Sequence, residues 1–167
     1  MRSIAVIYYS ETGNTETVAH WIAQGAETVP DTAARLFNIR EDEAPDKEYI
    51  EGCDAVVFGT PTYVANMCWQ MKKWFDTRLD YRLAGKIGSA FSTENSPNGG
   101  GGELAIMTIV GHMLVKGMLV YSSGSGCGRP FIHIGPAVVK SQLAEREEIC
   151  NLFGKRIADQ AHRLFDR

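Results

Sequence analysis

Short apolar runs alternate with stretches of helical spacing along the whole chain. Ile4-Ala5-Val6-Ile7-Tyr8-Tyr9 is unbroken and predicts a buried strand over Ser3–Tyr9. Val18, Ile22 and Ala26 then recur at helical spacing and predict a helix over Asn14–Ala26. Ala34–Ile39 reads as a short second strand. Glu41–Glu51 is acidic, contains Pro45, and reads as an exposed loop with one helical turn. Ala55-Val56-Val57-Phe58 marks a third buried strand over Asp54–Gly59. Met67, Met71, Trp74, Phe75 and Leu79 share one face of a helix over Asn66–Leu79. A fourth strand follows over Lys86–Phe91. Ser92–Gly102 is a loop ending in Gly99 to Gly102, and Glu103–Lys116 is a third helix. Met118–Ser122 is a fifth strand and Gly124–Pro136 a Gly/Pro loop. Lys140–Phe165 closes the chain as a helix, with Cys150, Phe153, Ile157, Ala161 and Leu164 on one face.

Strands interleaved with helices predict an α/β fold: a five-stranded parallel sheet with helices on both faces. At 167 residues the chain is the size of one domain, taken as 1–167. Ligands of such sheets bind beyond the carboxyl ends of the strands. The loops to watch are therefore Ser10–Thr15, Thr60–Asn66, Ser92–Gly102 and Gly124–Pro136, all rich in Gly, Ser, Thr, Asn or Pro.

The first loop carries the most specific chemistry. Ser10-Glu11-Thr12-Gly13-Asn14-Thr15 joins a buried strand to a helix start, where free N–H groups and the helix dipole favour an anion. Ser10, Thr12 and Thr15 add hydroxyls, and Gly13 allows a close backbone approach. The loop has no Lys or Arg, so it is not a Walker A loop, and it does not match G-x-G-x-x-G. A terminal monophosphate held by hydroxyls and amides fits; an ordinary capped helix start is the competing explanation.

Charge and composition narrow the function classes. The net charge of −3 leaves no basic footprint for nucleic acid. No apolar run approaches a membrane span and no signal peptide is seen, which points to a cytoplasmic protein without a membrane partner. Cys53, Cys68, Cys127 and Cys150 are widely spaced, without metal-ligand spacing, and read as reduced thiols, with Cys127 the exposed one. No catalytic triad, carboxylate pair or metal cluster is evident.

Tyr-Ser-x-Thr-Gly-Asn-Thr after the first strand resembles the FMN-phosphate loop of flavodoxins. Gly59-Thr60-Pro61-Thr62-Tyr63 with Asn66-Met67 and Gln70-Met71-Lys72 is similar to the second flavin loop of the WrbA-type NAD(P)H:quinone oxidoreductases. Gly85-Lys86, then Phe91-Ser92-Thr93 and the glycine run, resembles the third flavin loop of that group. The resemblance covers nearly the whole chain. It implies a flavodoxin-like three-layer α/β/α sandwich with strand order 2-1-3-4-5. By the same resemblance Ser10, Thr12, Gly13, Asn14 and Thr15 would hold the FMN phosphate. Pro61, Thr62 and Tyr63 would wrap the isoalloxazine, with Asn66 closing the turn. Ser92, Thr93, Glu94 and Asn95 would line the pyrimidine and ribityl side.

Departures from the reductases touch the electron donor and acceptor: Asn14 is flavodoxin-like, Tyr63 stands where the reductases often carry Arg, and Gly128–Gly135 is compact. Tyr63 offers a ring to stack on the flavin. His133 and Arg129 could approach the site, although a satisfied loop histidine is the simpler reading of His133. The helix over 104–115 is apolar nearly all round, which predicts a homo-oligomer, dimer or tetramer. Two functions compete: an FMN-dependent reductase that takes electrons from NADPH or NADH and passes them to quinones or similar small molecules, and a flavodoxin-type carrier between redox proteins. The near balance of 20 acidic and 17 basic residues favours the reductase, since carriers tend to be strongly acidic. A third possibility is a non-enzymatic flavin-binding module.

Overall fold

The computed structural model describes residues 1–165. Its strands are β1 (Arg2–Tyr8), β2 (Thr32–Asn38), β3 (Ala55–Tyr63), β4 (Asn66–Met67), β5 (Ile87–Glu94), β6 (Leu119–Val120) and β7 (Ala137–Val139). Its α-helices are α1 (Asn14–Glu27), α2 (Lys47–Gly52), α3 (Trp69–Thr77), α4 (Gly102–Val115) and α5 (Glu147–Phe165). The sheet runs β2-β1-β3-β5-β6, with β4 on β3 and β7 on β5. All pairings are parallel except β3–β4. Counting only the principal strands, this is the expected 2-1-3-4-5 parallel sheet with flanking helices.

Seven strands replace the expected five for two reasons. β3 runs on past Gly59 to Tyr63 and folds back as β4, which pairs Thr62 with Met67 and Tyr63 with Asn66. The helix expected from Asn66 therefore starts at Trp69. The fifth strand is broken: β6 pairs with Ile87 and Gly88 at the start of β5, and β7 pairs with Ser92–Glu94 at its end. Residues 122–135 leave the sheet between them, since Tyr121 and Pro136 still bond to Gly88 and Ser92 of β5. Because β7 extends the ladder, Ser92, Thr93 and Glu94 lie on a strand rather than in a loop. The closing segment also divides, with a 3-10 stretch over Lys140–Glu145 before α5. The acidic segment forms α2, capped by Asp46, whose carboxylate accepts from the Tyr49 amide at 3.0 Å.

Alternation along the strands sorts the core into two layers. Ile4, Val6, Tyr8 and Val57 face α1 and α5. Ala5, Ile7, Val56 and Phe58 face α3 and α4. Burial pushes the thiol of Cys53 up to about 11 and that of Cys150 up to about 12, so both remain protonated at neutral pH. No helix among the described residues is long and apolar enough to cross a membrane.

α1 and α5 pack unusually close. A Cβ on Gly25 would run into the Asn151 carbonyl, and one on Gly154 into the Ile22 carbonyl. Since the obstructing atoms are backbone, the helices themselves would have to separate. Gly154→Ala is expected to destabilise the protein by about 1–3 kcal/mol, the usual cost of overpacking, despite alanine's better helix propensity. Urea unfolding monitored by circular dichroism checks this; an unchanged or raised midpoint would contradict it.

Candidate functional site

Three chain segments reach the same level at the carboxyl edge of the sheet. In the first, Gly13 adopts φ 90° at the N-cap of α1, a left-handed conformation that glycine takes without strain. The buried Ser10 hydroxyl accepts from the Glu16 amide at 3.3 Å. Among the described residues, the amides of Thr12, Gly13, Asn14 and Thr15 have no protein acceptor. They form an open donor cluster at the positive end of the helix.

The second segment is the β3–β4 hairpin. Val64 and Ala65 have φ of 53° and 57°, so the turn holds two successive left-handed residues, the pattern of a type I′ turn. Neither is glycine, and a β-branched residue there is strained. Just before the turn, the Thr62 hydroxyl is buried without a hydrogen-bond partner. Thr60 is fully buried and serves the fold: its hydroxyl accepts from the Cys68 amide at 2.9 Å, where α3 begins.

The third segment is the end of β5 and residues 95–101. Thr93 meets Thr15 hydroxyl to hydroxyl at 2.8 Å, tying the first and third segments together. A Glu94 carboxylate oxygen accepts from the Gly102 amide at 2.9 Å and so caps α4. Gly101, at φ 85°, sits against Ala65, where a side chain would collide.

Together these segments enclose a cavity of about 160 Å³. The first contributes Glu11, Thr12, Asn14 and Thr15; the second Pro61, Thr62 and Tyr63; the third Thr93, Glu94 and Asn95. The remaining expected residues stand elsewhere. Ser10 and Gly13 shape the helix start behind the cavity. Ser92 is fully buried, its hydroxyl donating to the Gly102 carbonyl at 2.9 Å. Asn66 is exposed and lines a neighbouring cavity with Trp69 and Lys72. Glu11, not among the expected ligands, lines the cavity and accepts from the Tyr63 hydroxyl at 3.4 Å. Burial, and then the Glu11 carboxylate, holds the Tyr63 hydroxyl above its ordinary pKa.

The fourth expected loop is not part of this cavity. With the fifth strand broken, residues 122–135 run beside α5, where Arg156 donates to Ser123 Oγ and to the carbonyls of Cys127 and Gly128 at 3.0–3.2 Å. His133 lines a different cavity with Phe131, and Arg129 stands over the Phe131 ring at 5.4 Å. Cys127 is exposed, its Sγ 3.5 Å from the Tyr121 hydroxyl.

A parallel sheet of this order, with a donor-rich first loop and two further loops converging on it, defines the class. The chain belongs to the flavodoxin-like fold family, whose sequence profile matches residues 9–125. A flavodoxin of Clostridium saccharobutylicum is 40% identical over 97% of this chain and 99% of its own length. A flavodoxin of Aquifex aeolicus (strain VF5) is 35% identical over 95% of this chain and 86% of its own. Among solved structures, a flavodoxin, WrbA-like protein from Agrobacterium tumefaciens superimposes with a TM-score of 0.79 at 24% identity, covering 98% of this chain and 99% of that one.

The strained hairpin yields a direct test. Val64 is fully exposed, so removing its side chain forfeits no packing. Val64→Gly relieves the left-handed strain and is expected to raise stability by about 1 kcal/mol after the extra chain entropy is subtracted. Chemical denaturation measures this, and a loss of stability would show that the valine is not strained.

Proposed function

We propose that this protein holds FMN across the three loops and carries electrons between redox proteins. The sequence favoured a reductase, with charge balance as the discriminator. The relatives support the carrier instead: the curated ones at 35% and 40% identity are flavodoxins, and flavodoxins bind FMN. The observation that carries the reading is the electrostatics of the cleft. Its charged lining residues are Glu11 and Glu94, and none of its lining residues is basic. Such a mouth steers basic protein surfaces toward it. Bulk charge does not show this, because none of the cations lines the cleft itself.

The residues present suit the group. The free amides of Thr12, Gly13, Asn14 and Thr15 and the adjoining hydroxyls would take the phosphate without a cation. Thr62 lines the cavity, and its hydroxyl, buried without a partner, is a polar group the fold itself leaves unsatisfied there. Pro61 and Tyr63 would flank the ring, and Thr93, Glu94 and Asn95 the opposite side. Ser10, Gly13, Ser92 and Asn66 would act by holding the loops. Bound FMN supplies electron-transfer chemistry at the ring; the protein positions it and tunes its potential. The WrbA-like neighbour is the observation that supports the alternative, a reductase fed by NADPH or NADH with quinones as acceptors.

Mixing the FMN-loaded protein anaerobically with NADPH, then NADH, in a stopped-flow spectrometer separates the two. The carrier predicts no rapid bleaching by either nucleotide, and reduction by dithionite in two separate one-electron steps. Rapid bleaching followed by reoxidation with a quinone would establish the reductase. Failure of FMN to quench on binding would overturn both. Thr12→Val should weaken FMN binding about tenfold, the loss of one hydrogen bond to a charged group.

We also propose that a second copy of the chain covers the outer face of α4. Leu104, Met107, Leu114 and Val115 are exposed along that face, and Leu119 and Val120 continue it on the adjoining edge strand β6. A two-fold axis across this face would set the stripe against its own copy and bury both. Light scattering at micromolar concentration is expected to give a dimer, and Leu114→Glu a monomer with unchanged circular dichroism. A wild-type monomer would refute the pairing.

A further inference from the structure

Thr15 and Thr93 come from different segments of the cleft and meet hydroxyl to hydroxyl at 2.8 Å. Thr15 stands in the first turn of α1, among the open amides of the first loop. Thr93 stands near the end of β5, flanked by Pro61 of β3 and Val138 of β7. Strand alternation decides which way it faces. Phe91, two residues earlier, packs in the layer under α1 and α5. Ser92 and Glu94 turn to the opposite face, where one bonds the Gly102 carbonyl and the other caps α4. Thr93 is therefore the residue at this end of β5 that the register delivers to the first loop.

Proton counting gives the contact a direction. A threonine hydroxyl carries one proton and can accept two hydrogen bonds. The pair holds two protons and uses one of them in its mutual bond. Among the described residues, neither hydroxyl has another protein partner, so one proton is spare. Both residues line the cleft. The oxygens of an ionised phosphate monoester are strong acceptors. Such a phosphate, seated on the loop amides, would take the spare proton from Thr15, which shares their helix turn. Thr15 can then bond to Thr93 only as an acceptor, and Thr93 must donate. A chain running from Thr93 through Thr15 to the phosphate also polarises each bond in the same sense.

We propose that Thr93 is a positioning residue for the phosphate: its hydroxyl donates to Thr15 and leaves the Thr15 proton for a phosphate oxygen. The family resemblance groups Thr93 with Glu94 and Asn95 beside the ring and ribityl chain. Its one side-chain hydrogen bond runs instead to the first loop, so its effect falls at the phosphate end of the cofactor. This role rests on the reading that the first loop takes the FMN phosphate.

The test compares FMN, riboflavin and inorganic phosphate on the full chain freed of flavin. Fluorescence quenching gives the flavin affinities, and the amide resonances of Thr12–Thr15 in ¹H–¹⁵N spectra give the phosphate affinity. Thr93→Val is expected to weaken FMN and phosphate about tenfold each, while riboflavin affinity stays within about twofold. Retained riboflavin binding also shows that the variant folds. Thr93→Ser keeps the donor and should restore the wild-type FMN affinity. The double variant Thr15→Val/Thr93→Val should bind FMN no more weakly than Thr15→Val alone, because Thr93 acts through Thr15. Equal losses of FMN and riboflavin would overturn the proposal by returning Thr93 to the ring side. Additive losses in the double variant, or an unchanged FMN affinity in Thr93→Val, would overturn it as well. A wild-type chain that binds phosphate but not FMN, with phosphate weakened by Thr93→Val, would reject the flavin reading and keep the role of Thr93 toward the anion. A wild-type chain that binds neither would overturn both.

Discussion

The site depends on one row of the sheet. Tyr8 stands opposite Gly59, and Gly59 opposite Phe91, so β1, β3 and β5 reach the carboxyl edge at the same level. Gly59 is required in the middle of that row, because the Phe91 ring occupies the space where its Cβ would project. From this common level the pairing of β3 with β5 continues through Thr60–Ser92 and Pro61–Thr93, which carries Thr93 to within hydrogen-bond distance of Thr15. A one-residue slip would turn every side chain to the opposite face and dismantle the cavity. The close-packed helices α1 and α5 lie behind this row and brace the first loop from below.

Within the cavity the chemistry is done by dipoles rather than by cations. The amides at the start of α1 and the threonine hydroxyls are held in place by the fold before any ligand arrives, so anion binding requires little reorganisation. Leaving out lysine and arginine keeps the mouth acidic at Glu11 and Glu94. Those carboxylates are also structural, since Glu94 caps α4 and Glu11 meets Tyr63. Arg40, Lys73 and Arg78 line instead a separate cavity of about 200 Å³ between the connection after β2 and α3. A chain of nearly balanced overall charge therefore carries two adjacent cavities of opposite character.

The broken fifth strand has the widest consequences outside the site. β6 and β7 both pair with β5 along one edge, and the residues that leave the sheet between them, 122–135, do not line the cleft. That moves His133, Arg129 and Cys127 away from the flavin loops. It also lengthens β5, so that Ser92 turns inward and Thr93 and Glu94 become fixed points on a strand. The hairpin at Val64 and Ala65 is the complementary feature: a strained turn pressed against Gly101 on the rim of the cavity.

Much of this was legible in the residues alone. Unbroken apolar runs mark buried parallel strands, helical spacing marks one face of each helix, and a hydroxyl-rich turn between strand and helix marks an anion site. These are properties of single elements and their immediate ends, and so a linear pattern determines them. The sequence also determined the family, because three loop motifs occur in the right order. The tertiary structure decided what depends on register between distant segments: the break in the fifth strand, the burial of Ser92, the turning away of Asn66 and the arrival of Glu11 at the cavity. Periodicity says which face of an element is apolar, but it does not say which residue of another element lies opposite. Only the packed sheet and its helices settle that.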